Sequence, residues 1–245
     1  MKLSAEDPKE IELSVVVPVY NEAESLPLLV PQLVEVLNRL RRRYEIIVVD
    51  DKSSDGSREV LKGMVGLYPS LCLLFLDRNY GLSTALVAGM RQARGGWIAT
   101  IDSDLQMDPA DLPRLLNALN SSDMATGWRQ ERKDTLMKRL SSKIANAVRN
   151  WLSADIVNDS ACTFRVFRRE CVQEIPVFSG MHRFLPTLVK MEGYRVIEIP
   201  ITHHPRRFGK SKFNIRNRIW RSFIDLLGVR WMKSRQIQYE IEERI

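Results

Sequence analysis

Cysteine and histidine are scarce in this chain, three of each among 245 residues. Cys72, Cys162 and Cys171 are odd in number and stand at no metal-ligand spacing. That argues against a disulfide framework or a cysteine zinc site and reads as a reducing compartment. Cys72 lies in the apolar run Leu71 to Leu76 and is expected in the core. His182, His203 and His204 lack metal-site spacing, and no Ser or Cys nucleophile stands out for them to serve. Long apolar runs are missing too: none approaches the roughly 20 residues of a membrane span. Met1 to Glu10 is charged and without the apolar stretch of a signal peptide, so it reads as a loose tail. There is no Gly-x-x-x-x-Gly-Lys-Ser/Thr loop and no Gly-x-Gly-x-x-Gly after a strand, which argues against a P-loop NTPase or an ordinary dinucleotide-binding dehydrogenase. Acidic residues are the minority, 30 against 37 basic, for a net charge of +7. The partner should be anionic: a nucleotide, a phospholipid surface or a nucleic acid.

What is present alternates. Leu13–Val19 is β-branched and apolar, a buried strand of the parallel kind, and helical spacing follows from Glu24 to Leu40. Glu45–Val49, Leu71–Leu76 and Trp97–Ile101 read as further strands, separated by helices over Arg58–Tyr68 and Leu82–Arg94. Ala85, Ala88 and Gly89 would let the second of these pack closely on a sheet. Asp111–Leu119 is a short helix, and Met124–Trp128 a fifth strand. A helix over Lys133–Trp151, a strand following Asp159, a helix over Arg183–Met191, a strand over Tyr194–Ile201 and a helix over Ile215–Trp231 complete the pattern. Such alternation predicts an α/β fold with a mostly parallel twisted sheet covered by helices on both faces. Ligands then bind beyond the carboxyl ends of the strands. Those ends carry Tyr20-Asn21-Glu22, Asp50-Asp51, Arg78-Asn79 and Asp102-Ser103-Asp104. Asp102 and Asp104, one residue apart on extended chain, point the same way and repel unless a cation lies between them. Mg²⁺ and Mn²⁺ take such oxygen ligands and bridge them to a diphosphate.

Five motifs stand in order: Pro18-Val19-Tyr20-Asn21-Glu22; Asp51-x-Ser53-x-Asp55-Gly56-Ser57; Asn79-x-Gly81-x-x-x-Ala85-x-x-x-Gly89; Asp102-Ser103-Asp104-x-Gln106-x-Asp108-Pro109; and Gly209-Lys210-Ser211-Lys212. The set resembles the inverting family 2 glycosyltransferases, and within them the dolichol-phosphate mannose synthase and polyprenyl-phosphate glucosyltransferase branch, over residues 13 to about 230. The resemblance implies a GT-A (Rossmann-like) fold, a nucleotide-sugar donor such as GDP-mannose or a UDP-sugar, and Mg²⁺ or Mn²⁺. The expected organisation is one domain over residues 1–235, with an amphipathic interfacial helix at 213–232 and a charged tail at 236–245. It puts Pro18, Tyr20, Asn21, Glu22, Asp50, Asp51 and Asn79 around the nucleotide sugar. Asp102, Ser103, Asp104 and Gln106 fall at the metal and diphosphate, with Asp104 and Gln106 as direct ligands. Arg129 and Arg165 match positions near the sugar or acceptor phosphate; Arg206, Lys210 and Lys212 match a basic loop that closes over phosphates. The Gln-x-x-Arg-Trp motif of processive polysaccharide synthases is missing.

Acceptor chemistry divides the readings. A hydroxyl acceptor needs a general base, and Asp159 is the evident candidate in the second half. A lipid phosphate is already ionised and needs cations instead, which the second half supplies: from His203 to Arg235 there are ten basic residues and one acid, Asp225. Transfer to a polyprenyl or dolichyl phosphate carrier is the leading expectation; a soluble enzyme acting on a saccharide hydroxyl is the alternative. Ile215, Ile219, Trp220, Phe223, Leu227 and Trp231 form an apolar stripe beside arginines, a pattern that suits an anionic membrane interface or a helix packed on its own sheet. The expected place is the cytoplasmic, inner face of the cell membrane, held peripherally, with a membrane-embedded partner protein as a further possibility. No nucleic-acid-binding motif is present.

Overall fold

The structure, a computed structural model, describes residues 10–129, 158–208, 215–237 and 243, with the backbone only for 215–222. The expected helix over Lys133–Trp151, the Gly209–Lys212 loop and most of the C-terminal tail lie outside the described residues.

The strands are β1 (Leu13–Val19), β2 (Tyr44–Asp50), β3 (Leu71–Phe75), β4 (Trp97–Thr100), β5 (Met124–Trp128), β6 (Arg165–Arg168) and β7 (Val196–Pro200). The helices are α1 (Leu26–Arg39), α2 (Ser57–Met64), α3 (Leu82–Gln92), α4 (Leu112–Ala118), α5 (Leu185–Met191) and α6 (Ile215–Ser234). Among the described residues the strands form one sheet in the order β3-β2-β1-β4-β6-β5-β7. The first four run parallel, as the β-branched, near-continuous apolar strands require. β6 is antiparallel to both β4 and β5, while β5 and β7 are parallel.

All seven residues of β1 are buried, because the strand sits mid-sheet with helices above and below. Its side chains alternate between two apolar layers. Leu13, Val15 and Val17 join Leu29 and Leu33 of α1, Leu61 of α2 and Leu112 of α4. Val16 faces the opposite layer with Ala85 and Met90 of α3, Leu188 of α5 and Leu226 and Val229 of α6. α3 packs closest: a Cβ on Gly89 would lie 2.3 Å from Cγ1 of Val16. The small-residue face expected there is borne out.

One expectation is corrected. Cys72 is exposed, not core: it opens β3, the strand at the end of the sheet among the described residues. On α6 the described part of the apolar stripe, Phe223, Leu227 and Trp231, is exposed, which leaves the interfacial reading open. Leu226 and Val229 are the buried residues, whereas Phe223, Ile224, Leu227 and Trp231 are exposed. Asp225, the one acid of the basic segment, pairs with Arg183 at 2.8 Å. Among the described residues no helix is long and apolar enough to cross a membrane.

Candidate active site

Three loops at the carboxyl ends of β1, β2 and β3 are stitched together by hydrogen bonds that explain the motif spacings. Asn21 N–H donates to Ser53 Oγ and Glu22 N–H to Ser57 Oγ, both at 2.8 Å, and Ala23 N–H to Asp55 Oδ2 at 3.0 Å. The Asp51-to-Ser57 motif thus holds the Tyr20-Asn21-Glu22 turn, in which Asn21 takes φ +55°. Asp51 accepts the N–H groups of Tyr80 and Gly81, each at 2.7 Å, and its carbonyl accepts from Asn79. Burial pushes its carboxyl up from the ordinary range, the two N–H donors oppose this, and the Asp50 charge adds to it.

The β4 end completes the cleft. Ser103 Oγ donates to the Pro18 carbonyl at 2.9 Å, fastening the acidic loop to β1. Leu105 is buried and left-handed at φ +58°, a conformation that a non-glycine residue keeps only when its surroundings enforce it. Its anchored side chain turns the backbone between Asp104 and Gln106. Asp102 is crowded by protein on most sides and keeps part of its surface open. Desolvation, then the neighbouring Asp104 charge, pushes its carboxyl up to about 6, against the pull of Arg129 and Arg165. Asp104 accepts from Arg206 Nη2 at 2.6 Å, and Arg206 Nη1 also reaches Glu22 at 3.4 Å.

The resulting cleft has a volume of about 410 Å³, ordinary for a nucleotide-sized ligand. Of the residues expected at the nucleotide sugar and metal, Pro18, Tyr20, Glu22, Asp51, Asn79, Asp102, Ser103, Asp104, Gln106 and Arg206 line it. Asn21 and Asp50 do not: Asn21 Oδ1 caps Ser54 N–H at 2.7 Å, and Asp50 lies buried with Oδ1 accepting from Ser53 N–H. They shape the loops rather than the cleft wall. Gly81, Leu82 and Ala85 line it unforeseen, although the Asn79-x-Gly81-x-x-x-Ala85 spacing was the available signal.

Arg129, Asp159 and Arg165 stand outside this lining. Arg129 and Asp159 form a bidentate pair at 2.6 and 2.9 Å, both largely buried. Arg165 is fully buried, donating to the carbonyls of His182 at 2.7 Å and Ser160 at 3.0 Å. Each head group is engaged by protein around the 158–163 loop, and the charges of Arg129 and Arg165 still act on Asp102 at the cleft. Lys210 and Lys212 lie outside the described residues.

Among the described residues no cluster of three or more His, Cys, Asp or Glu side chains could by itself hold a metal. Two carboxylates and an amide lining a nucleotide-sized cleft nevertheless fit Mg²⁺ or Mn²⁺, which keep waters and substrate phosphates in their coordination sphere.

A parallel sheet ending in carboxylate loops over one cleft, joined to an antiparallel-inserted second half, is the GT-A arrangement. Solved structures share it. Glucosyl-3-phosphoglycerate synthase from Mycobacterium tuberculosis, in complex with Mn²⁺, UDP and glucosyl-3-phosphoglycerate, superposes with a TM-score of 0.67 at 16% identity, covering 90% of this chain and 80% of that one. A mannosyltransferase from Pyrobaculum calidifontis in complex with GDP-Man and Mn²⁺ gives 0.58 at 20% identity, covering 96% and 68%. The chain belongs to glycosyl transferase family 2, whose sequence profile matches residues 14–176. Relatives include the dodecaprenyl-phosphate galacturonate synthase of Rhizobium johnstonii, 36% identical over 90% of this chain and 67% of that one. An undecaprenyl-phosphate 4-deoxy-4-formamido-L-arabinose transferase of Photorhabdus laumondii is 36% identical over 83% and 63%. The chain thus spans about two thirds of the length of these relatives.

Proposed function

We propose that this glycosyltransferase moves a sugar from a nucleotide sugar, GDP-mannose or a UDP-sugar, to a polyprenyl or dolichyl phosphate at an anionic membrane surface, with inversion at the anomeric carbon. The observation that carries this is the union in one cleft of Asp102 and Asp104 with the nucleoside-side residues Tyr20, Glu22, Asp51 and Asn79 and with Arg206. The relatives' lipid-phosphate acceptors support the same reading.

In this reading Asp51 and Asn79 orient the nucleoside, while Asp102, Asp104 and Gln106 would hold Mg²⁺ or Mn²⁺. Such a cation supplies charge neutralisation for the departing diphosphate. Arg206 adds a further cation at the same cleft. An acceptor phosphate oxygen forms the new bond to the anomeric carbon as the bond to the diphosphate breaks, and no proton has to be removed. Asp159, already holding Arg129 through both oxygens, is poorly placed as the base that a hydroxyl acceptor would need. The protein would sit peripherally at the inner, cytoplasmic face of the membrane through the exposed apolar side of α6.

The test pairs binding with turnover. UDP or GDP with Mn²⁺ should raise the melting temperature, by the equivalent of roughly 2.7 kcal/mol at about 100 times the dissociation constant. Asp104→Asn should lower transfer to a short polyprenyl phosphate by about 10²-fold or more with the fold intact by circular dichroism. Near-normal turnover in that variant removes the metal assignment.

A further inference from the structure

Arg206 and the acidic loop are built to meet. After β7 the chain runs back along the segment that follows Asp104: Thr202 N–H donates to Asp111 at 2.6 Å, His203 bridges Met107, and His204 N–H donates to the Gln106 carbonyl at 2.8 Å. These bonds hold the strap's backbone against the loop and leave the Arg206 side chain to reach over the cleft. Its guanidinium lies 2.6 Å from Oδ2 of Asp104. A divalent cation binds a carboxylate oxygen at about 2.1 Å and brings its own shell of water. A cation on the same carboxylate would stand within a few ångströms of the guanidinium charge, and two cations this close repel each other.

We propose that Arg206 competes with the divalent cation for Asp104, and that the diphosphate of the nucleotide settles the competition by drawing the guanidinium onto its own oxygens. This rests on the reading of Asp102 and Asp104 as the metal site and goes beyond it, because it makes metal and nucleotide binding mutually dependent through one named side chain. Arg206 is a positioning residue here: it holds Asp104 in place and withdraws when an anion takes its charge. Metal alone binds weakly; nucleotide and metal together bind well, and by linkage each strengthens the other by the same factor.

The experiment titrates Mn²⁺ into the full chain, following the electron paramagnetic resonance of the free ion, with and without UDP or GDP. Arg206→Gln should bind Mn²⁺ alone about tenfold tighter than the parent, the scale of one ordinary interaction. Arg206→Lys, which keeps the charge, should stay near the parent. The gain in Mn²⁺ affinity on adding nucleotide should shrink in Arg206→Gln. In the unaltered protein, Mn²⁺ alone should quicken phenylglyoxal modification of Arg206, mapped by mass spectrometry, and nucleotide with Mn²⁺ should slow it. Measurable Mn²⁺ binding that Arg206→Gln leaves equal or weaker overturns the inference while the metal site stands. No Mn²⁺ binding in any variant, with either nucleotide, overturns both.

Discussion

Asp102 is held where protonation favours the fold. Its carboxyl sits at about 6 against an ordinary 3.8, so the folded chain binds that proton more tightly than the unfolded chain does. The stabilisation from this group is fully present below about pH 4 and is lost as the pH rises through about 6. Asp102→Asn should therefore raise the melting temperature of the metal-free protein more at about pH 8 than at about pH 5, measured in chelator. An equal shift at both would mean that the carboxylate is not crowded. Asp159 has the opposite character. Replacing it with Ala strands the buried Arg129 guanidinium, and chemical denaturation should show a loss of roughly 3–5 kcal/mol.

The helices carry the next set of expectations. On α3, Gly89→Ala would force a Cβ into Val16 and should destabilise by roughly 1–3 kcal/mol. On α6, Leu226→Ala should lose about 2–5 kcal/mol in denaturant, since Leu226 packs into the core. Phe223→Glu with Leu227→Glu should leave stability within about 0.5 kcal/mol, because both side chains are exposed. The same double variant should lose co-sedimentation with anionic liposomes, and the parent's binding should fall with salt. Retained binding would move the membrane contact elsewhere. These elements also mark how far the sequence could be read. Strands β1 to β4 and the carboxylates at their ends follow from apolar runs and local spacing. The inward side of α6 does not, because the helix carries apolar residues on two sides, and tertiary contacts of Leu226, Val229 and the Arg183–Asp225 pair mark the buried one. Cys72 likewise looks like core until the strand order leaves β3 at an edge. Asp51 and Arg206 were readable as cleft residues from motif position. The mutual engagement of Arg129 and Asp159 was not, since 29 residues separate them in sequence and only the tertiary fold unites them.

At the scale of the whole molecule, the donor-side loops come from the first half of the chain, whereas Arg206 arrives from beyond residue 200. The family profile ends at residue 176, before β7 and the strap, while the Rhizobium johnstonii relative matches over 90% of the chain. The order β4-β6-β5 has a further consequence for how the chain is assembled. Strand β5 leaves the ribosome before β6, yet among the described residues β6 is the strand that joins it to β4. The four parallel strands are complete by Thr100 and can close on their own helices while synthesis continues. β5 must wait, unpaired on that side, until Arg165–Arg168 emerges and slides in antiparallel, and β7 then joins last. Pulse-labelled hydrogen exchange during refolding should find amides of β1, β2 and β4 protected before those of β5 and β7. Simultaneous protection would mean that the wedge and the platform form together. The acidic loop would thus exist in the nascent chain before the strap that governs it.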